Sequence, residues 1–449
     1  MTTLDLDVGN GSDGSTASRN GSDGSTASGN GSGAGSVGAV KHDLADLALA
    51  GGSALFDVPR SASSLAAPDI ERFLAHSRRF FDARRYTNTG PVAGELERRL
   101  AEFHEVEHCV TFASGFWALV LALRALALPG RREVVLPSLT YRRMADVAQW
   151  ASLVPRFCDV DPATLAIDAS TVEPCLGPDT AVVLAVHPIV NCCAVDEVEE
   201  LARSRRLPLL VDGVESCYET FHGRKVGSFG NAEVFSLHAS KLINGFEGGY
   251  LTTDDGDLAT QLSLQRGFGF NGHDNVVHFG LNAKLNEVHA AMALANLDEL
   301  EEQVADHRRR YHAYRRALAG VPGVRLLAFD ETERTSCKNI VVELLDEWPL
   351  ARSLTLEVLQ AEGILARAYY APALHQKPTA YRTIAGHLPN TEHLAERFVL
   401  LPSGSRVTEA DIVAIAGLLR FLATSGDADA LASKSETAPG TVSATEGPP

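Results

Sequence analysis

Methionine and tryptophan are scarce, three of each in 449 residues, and aromatic residues make up only 7% of the chain. No apolar run reaches the roughly 18 residues that suggest a membrane-spanning helix, so no membrane partner is expected. Positive charge is also in deficit. Forty Lys and Arg face 57 Asp and Glu, a formal net charge of −17. Such a chain lacks the broad basic field that draws nucleic acid or an anionic membrane surface, so no nucleic-acid partner is expected. A small anionic ligand is not excluded, because local charge can oppose the total. The cysteines number seven, an odd count scattered over a long chain, and do not read as a disulfide framework. Cys192 and Cys193 are adjacent rather than spaced as CxxC, so no metal site is expected.

Near the amino end a decapeptide repeats as NGSDGSTASR, NGSDGSTASG and NGSGAGSVGA, starting at Asn10, Asn20 and Asn30. That composition cannot bury enough apolar surface to offset the entropy of ordering. Residues 1–60 are therefore expected to be a disordered, repeat-containing tail. The tail lacks the charged and apolar regions of a signal peptide, and a cytoplasmic location is expected. From Ser425 the stretch SGDADALASKSETAPGTVSATEGPP has the same character, so residues 425–449 are expected to form a second disordered tail.

The remaining length exceeds what one simple core usually supports, which points to two domains. HCVTFAS, EVVLPS, VPRFCDV, AVVLAVHP, LPLLVDG, AEVFSLH and GGYLTTDD are short apolar runs bounded by turn residues. Helical patterns such as ELERRLAEFHEV and GFWALVLALRALAL lie between them. Buried strands alternating with helices predict an α/β sheet covered on both faces. From Asn282 the texture becomes helical, through KLNEVHAAMALANLDELEEQVADHRRRYHAYRRALAG. A large domain over 61–300, with a helical lead-in, and a smaller α+β domain over 301–424 are expected.

In such sheets ligands gather where strands end and helices begin, and four places of that kind stand out. In ASGFWALVLALRAL, Ser114 and Gly115 precede an apolar helix whose free N–H groups make an anion seat, or are simply capped. In LPLLVDGVES, Asp212 ends a buried strand, where it could hold a cationic ring nitrogen or cap a helix in a capping box with Glu215. In PSLTYRR, Tyr141 follows a strand end, placed to cover a flat ligand or to fill the core. In SLHASKLINGFEGG, Lys241 follows Ser236 by five residues and precedes Gly248 and Gly249. A free lysine has a pKa of about 10.4, so only about one in 2,500 is neutral at pH 7. A lysine used for covalent chemistry therefore needs a special setting.

The order of these features, more than any one alone, resembles a fold-type-I pyridoxal phosphate enzyme of the DegT/DnrJ/EryC1/StrS sugar aminotransferase family. The resemblance runs from Tyr86 to Leu422, through TNTGPVAGELERRLAEF, EVVLPSLTY, LLVDGVES, FSLHASK, FEGGYLTTDD, GLNAKLNEVHAAMALANL and LPNTEHLAERFVLLP. It implies a large domain with a mostly parallel mixed sheet flanked by helices, and pyridoxal 5′-phosphate as cofactor. It further implies that Lys241 binds the cofactor aldehyde and carries the transferred proton, and that Asp212 pairs with the protonated ring nitrogen. By the same resemblance Gly115 and Phe116 offer N–H groups to the phosphate, Ser236 adds a hydroxyl, and Tyr141 stacks on the ring. Asn282 would reach the phosphate of a neighbouring subunit, making a homodimer with shared sites.

Three departures accompany the resemblance. Glu215 stands where the family commonly has Gln or His, near the cofactor's 3′-oxygen. Phe116-Trp117 replaces Thr and a small residue, and VHPIVNCC replaces a His-aromatic-Gly pattern. The expected activity is transfer of an amino group from an amino acid, glutamate or glutamine, to a nucleotide-activated keto sugar. A cyclitol ketone as substrate, or a non-catalytic regulatory role on the same fold, are the alternatives.

Overall fold

Seven of the apolar runs form strands of one sheet: β1 His108–Phe112, β2 Glu133–Pro137, β3 Val154–Cys158, β4 Thr180–Val186, β5 Leu209–Asp212, β6 Ala232–Ser236 and β7 Gly249–Thr253. This computed structural model describes residues 37–62 and 67–435, all within one compact unit. The strand order is β3-β2-β4-β5-β6-β7-β1, with Ile384–Ala385 added in parallel beside β3. Only β7 runs against its neighbours, antiparallel to both β6 and β1. The sheet is thus mixed and mostly parallel.

Strand periodicity divides the apolar side chains between the two faces. Val135, Val183, Ala185, Leu209, Val211 and Phe235 join one core. Val134, Leu136, Val182, Leu184, Leu210 and Val234 join the other. Burial on both faces is why these strands read as continuous apolar runs rather than as alternating ones. The helix Gly115–Leu126 is apolar all round for the same reason, its residues Ala118 to Leu123 being buried without interruption. Each fully buried Leu or Val contributes roughly 1.5–3 kcal/mol.

The long helical region resolves into two helices, Glu287–Asp298 and Leu300–Leu318. The buried Glu287 carboxylate accepts the N–H groups of Gly90, Val92 and Ala93, at 2.9, 2.7 and 3.2 Å. It thereby caps the helix Pro91–His104, whose N-cap Gly90 has no side chain to do so. Beyond it a four-stranded antiparallel sheet is built from Val324–Leu326, Ile340–Leu344, Phe398–Leu401 and Arg367–Ala368.

The expected tail boundaries at 60 and 425 do not match the packing. The segment LADLALAGGSALFDV places Leu47, Leu55 and Phe56 in the core. Lys41 is buried, donating to the carbonyl of Asp46 at 2.7 Å and pairing with the fully buried Glu362 at 3.1 Å. Arg60 pairs with Asp411, and Arg60–Ser61 lies parallel to Ile364–Leu365. At the other end the helix Ala428–Ser435 buries Leu431 and packs beside residues 48–50. Apolar residues interspersed in otherwise polar stretches supply the burial that composition averaged over each tail concealed. The expected disorder of residues 1–36 and 436–449, most of the decapeptide repeat included, lies outside the described residues.

Candidate active site

The C-terminal ends of β1, β2, β5 and β6 lie along one edge of the sheet, and the four singled-out places converge there. From β1 the chain turns through Ser114 into the helix at Gly115. Ser114 Oγ accepts the Trp117 N–H at 3.2 Å, an ordinary N-cap. The Gly115 N–H donates to the Gly248 carbonyl at 3.2 Å, so it is not one of the free donors expected there. Among the described residues the Phe116 N–H has no acceptor, and it remains the donor at this helix start. The Gly248 carbonyl also accepts the Leu237 N–H at 2.9 Å, which ties β6 to the helix start. A Cβ on Gly115 would stand 3.3 Å from Ser236 Cβ, so Ser236 borders the seat. Gly249 is needed for the same closeness, since a Cβ there would lie 2.3 Å from Gly115 N.

Asp212, at the end of β5, is buried, and its Oδ1 accepts the Val214 N–H at 3.0 Å. No helix starts after it, so the capping-box reading fails. Burial pushes its carboxyl up to about 6, against the Val214 hydrogen bond and nearby Lys241, which pull it down. Glu215 turns instead toward Lys241, whose Nζ donates to Glu215 Oε1. On the other oxygen, Oε2, lie Lys338 Nζ and Asn339 Nδ2, each at 3.4 Å. Burial raises the Glu215 carboxyl, but Lys241 and Lys338 outweigh it and hold the group at about 2. Burial lowers the Lys241 amine, and Glu215, followed by Asp212, more than reverses this, so the amine is held protonated. Glu215 is therefore an ionised acceptor, not a protonated donor.

Tyr141 is 45% exposed, which removes the core reading. Its phenol lies within electrostatic range of Lys241 and adds slightly to the charged amine's stability. Asn282 is exposed, and its Oδ1 accepts Lys284 Nζ at 2.9 Å. No hydrogen bond links it to Lys241, Asp212, Glu215 or Ser236 within the chain. Lys338, Asn339 and Tyr370 had no local sequence signal. They join the site only through folding, Lys338 being 123 residues from Glu215. The Tyr370 phenol keeps its proton, raised by burial and by Tyr369, Glu215, Asp212 and Tyr141 around it. VHPIVNCC is held by the same region. Ile189 donates its N–H to Tyr369 Oη at 3.1 Å and accepts from Asn339 at 3.3 Å.

The model of the DegT/DnrJ/EryC1/StrS aminotransferase family matches residues 69–420. The chain belongs to this family. GDP-perosamine synthase of Caulobacter vibrioides is 30% identical over 79% of this chain and 96% of that protein. A dTDP-4-amino-4,6-dideoxy-D-glucose transaminase of Escherichia coli is 27% identical over 81% of this chain and 98% of its own. Among solved structures, DesI in the presence of its TDP-sugar product has a TM-score of 0.80 and 36% identity, covering 85% of this chain and 97% of DesI.

As a family member the protein is a pyridoxal-phosphate-dependent aminotransferase. The residues fit that cofactor. Asp212 is a buried carboxylate that a protonated ring nitrogen would complete. The Phe116 N–H and Ser236 would face the phosphate, and Lys241 the aldehyde. Bound there, the cofactor supplies an electron sink that lets a proton leave the carbon bearing the amine.

Proposed function

We propose that the protein moves an amino group from glutamate or glutamine to a keto sugar carried on a nucleoside diphosphate. The observation that carries this reading is the row of side chains along one sheet edge. Asp212 stands at the end of β5, Ser236 at the end of β6 against the helix start that carries Phe116, and Lys241 pairs with Glu215. Lys241 is the group that takes the α-proton from the donor and returns it to the sugar carbon, and Glu215 holds the resting amine in its charged form until that pair is displaced. Two half-reactions on one site give ping-pong kinetics. Relatives named for GDP- and dTDP-linked sugars, covering nearly their whole length, support the substrate class.

A homodimer with Asn282 directed at a partner's site is part of the same reading. The loop just before Asn282 exposes Phe268, Phe270, Val276, Val277 and Phe279, each between 40% and 74%. An apolar patch of that kind fits burial against a second subunit. A reducing, cytoplasmic setting agrees with seven unpaired cysteines. The test incubates the cofactor-loaded protein with glutamate and GDP- or dTDP-linked keto sugars and looks for aminated product by mass. Turnover of a cyclitol ketone with none across the sugar panel would overturn the substrate class.

A further inference from the structure

On a chain of net charge −17, three cations stand together beside Tyr141. Arg142 and Arg143 follow it directly, and Lys377 is brought to them by a segment more than 200 residues downstream. The placement is fixed by hydrogen bonds. Leu374 donates its N–H to the Ser138 carbonyl at 3.0 Å, and His375 donates its N–H to Ser138 Oγ at 3.1 Å. Tyr381 donates its hydroxyl to Asp146 Oδ1 at 2.8 Å. Ile384 and Ala385 then pair with Arg156 and Phe157 along the sheet edge.

Arg143 is neutralised by Asp146, 2.9 Å away. Among the described residues Arg142 and Lys377 have no carboxylate partner, unlike Arg266, which is buried against Glu97. Lys377 is half-buried, and its amine is pushed down by burial and by the two arginines, which together outweigh the opposing pull of Asp146. Like charges held within electrostatic range of one another are stabilised by an anion shared between them.

We propose that Arg142 and Lys377 form the subsite for the diphosphate of the nucleotide-linked substrate, with Arg143 held back by Asp146. This rests on the nucleotide-sugar reading above. The planar guanidinium grips one phosphate in two places, and the ammonium neutralises the other as a point charge. The subsite lies beside Tyr141, so it anchors the nucleotide end while the sugar ketone reaches Lys241.

Calorimetric binding of dTDP and GDP to the cofactor-loaded protein tests it, with Arg142→Ala, Lys377→Ala, the double variant and Lys377→Arg. Each single neutralisation is expected to raise the nucleoside diphosphate Kd about tenfold, and the double variant about a hundredfold. The KM for the sugar nucleotide should rise in step with kcat changed much less, and Lys377→Arg should restore most of the affinity. If the wild type binds dTDP or GDP and the double variant binds it equally well, the subsite is wrong while the functional reading stands. If the wild type binds no nucleoside diphosphate and aminates no nucleotide sugar, both fall.

Discussion

Lys241 donates to Glu215 Oε1, while Lys338 approaches Oε2 of the same carboxylate at 3.4 Å. One anion between two ammonium groups keeps Lys241 charged until something displaces the pair, and a charged amine cannot attack an aldehyde. Glu215 thereby sets the readiness of the lysine.

Replacing Glu215 by Gln keeps the shape and removes the charge. The pH midpoint for covalent capture of pyridoxal phosphate by cofactor-free protein should fall by about one unit. An unmoved midpoint would show that Glu215 does not govern Lys241. The same variant bears on acid stability. The Glu215 carboxyl sits at about 2, below its ordinary 4.5, so its stabilisation is complete above 4.5 and is lost as pH falls from about 4.5 to about 2. The stability gap between wild type and Glu215→Gln should close over that window.

Asp212 has the opposite sign. Its carboxyl is raised from 3.8 to about 6, so its contribution to the cofactor-free fold is present below 3.8 and is lost as pH rises through about 6. Asp212→Asn should therefore match the wild type at pH 4 and melt higher at pH 8, without cofactor. Transamination should fall on the order of 10²-fold, as the ring nitrogen loses its counter-charge. A variant that is less stable at pH 8 would contradict the burial argument.

Gly249→Ala places a methyl group 2.3 Å from Gly115 N and 2.5 Å from its Cα, both backbone atoms that cannot turn aside. Overpacking of that kind costs about 1–3 kcal/mol. Because the strain falls on the helix start, affinity for pyridoxal phosphate should drop as well. Titration of the cofactor-free variant that gives wild-type affinity would place the phosphate elsewhere.

Lys41→Ala leaves Glu362 buried with two N–H donors, from Ala48 and Leu55 at 2.7 Å each, and no cation. A loss of about 3–5 kcal/mol in denaturant unfolding is expected. A change below 1 kcal/mol would return residues 37–60 to the passive role that composition suggested.

Much of the fold was legible because its signals are local. Both-face burial makes β1 to β7 continuous apolar runs, and turn residues mark their ends. Asp212, Ser236 and Lys241 were legible for the same reason, each following a strand end in an order that one ligand explains. Lys338, Asn339 and Tyr370 were not, because their meaning comes from contacts made across more than 100 residues. Residues 37–60 were misread for a different reason: three large apolar side chains decide that segment, and the repeat's average hid them. Glu215 stands out in the sequence, but its charge state depends on Lys241 and on Lys338, which no pattern near it announces.

The most direct test is to load the purified protein with pyridoxal phosphate, reduce it with borohydride and map the labelled peptide by mass. The account predicts one adduct, on Lys241 in SLHASKLINGFEGG, absent from Lys241→Ala. A label on Lys338, or none at all, would contradict it.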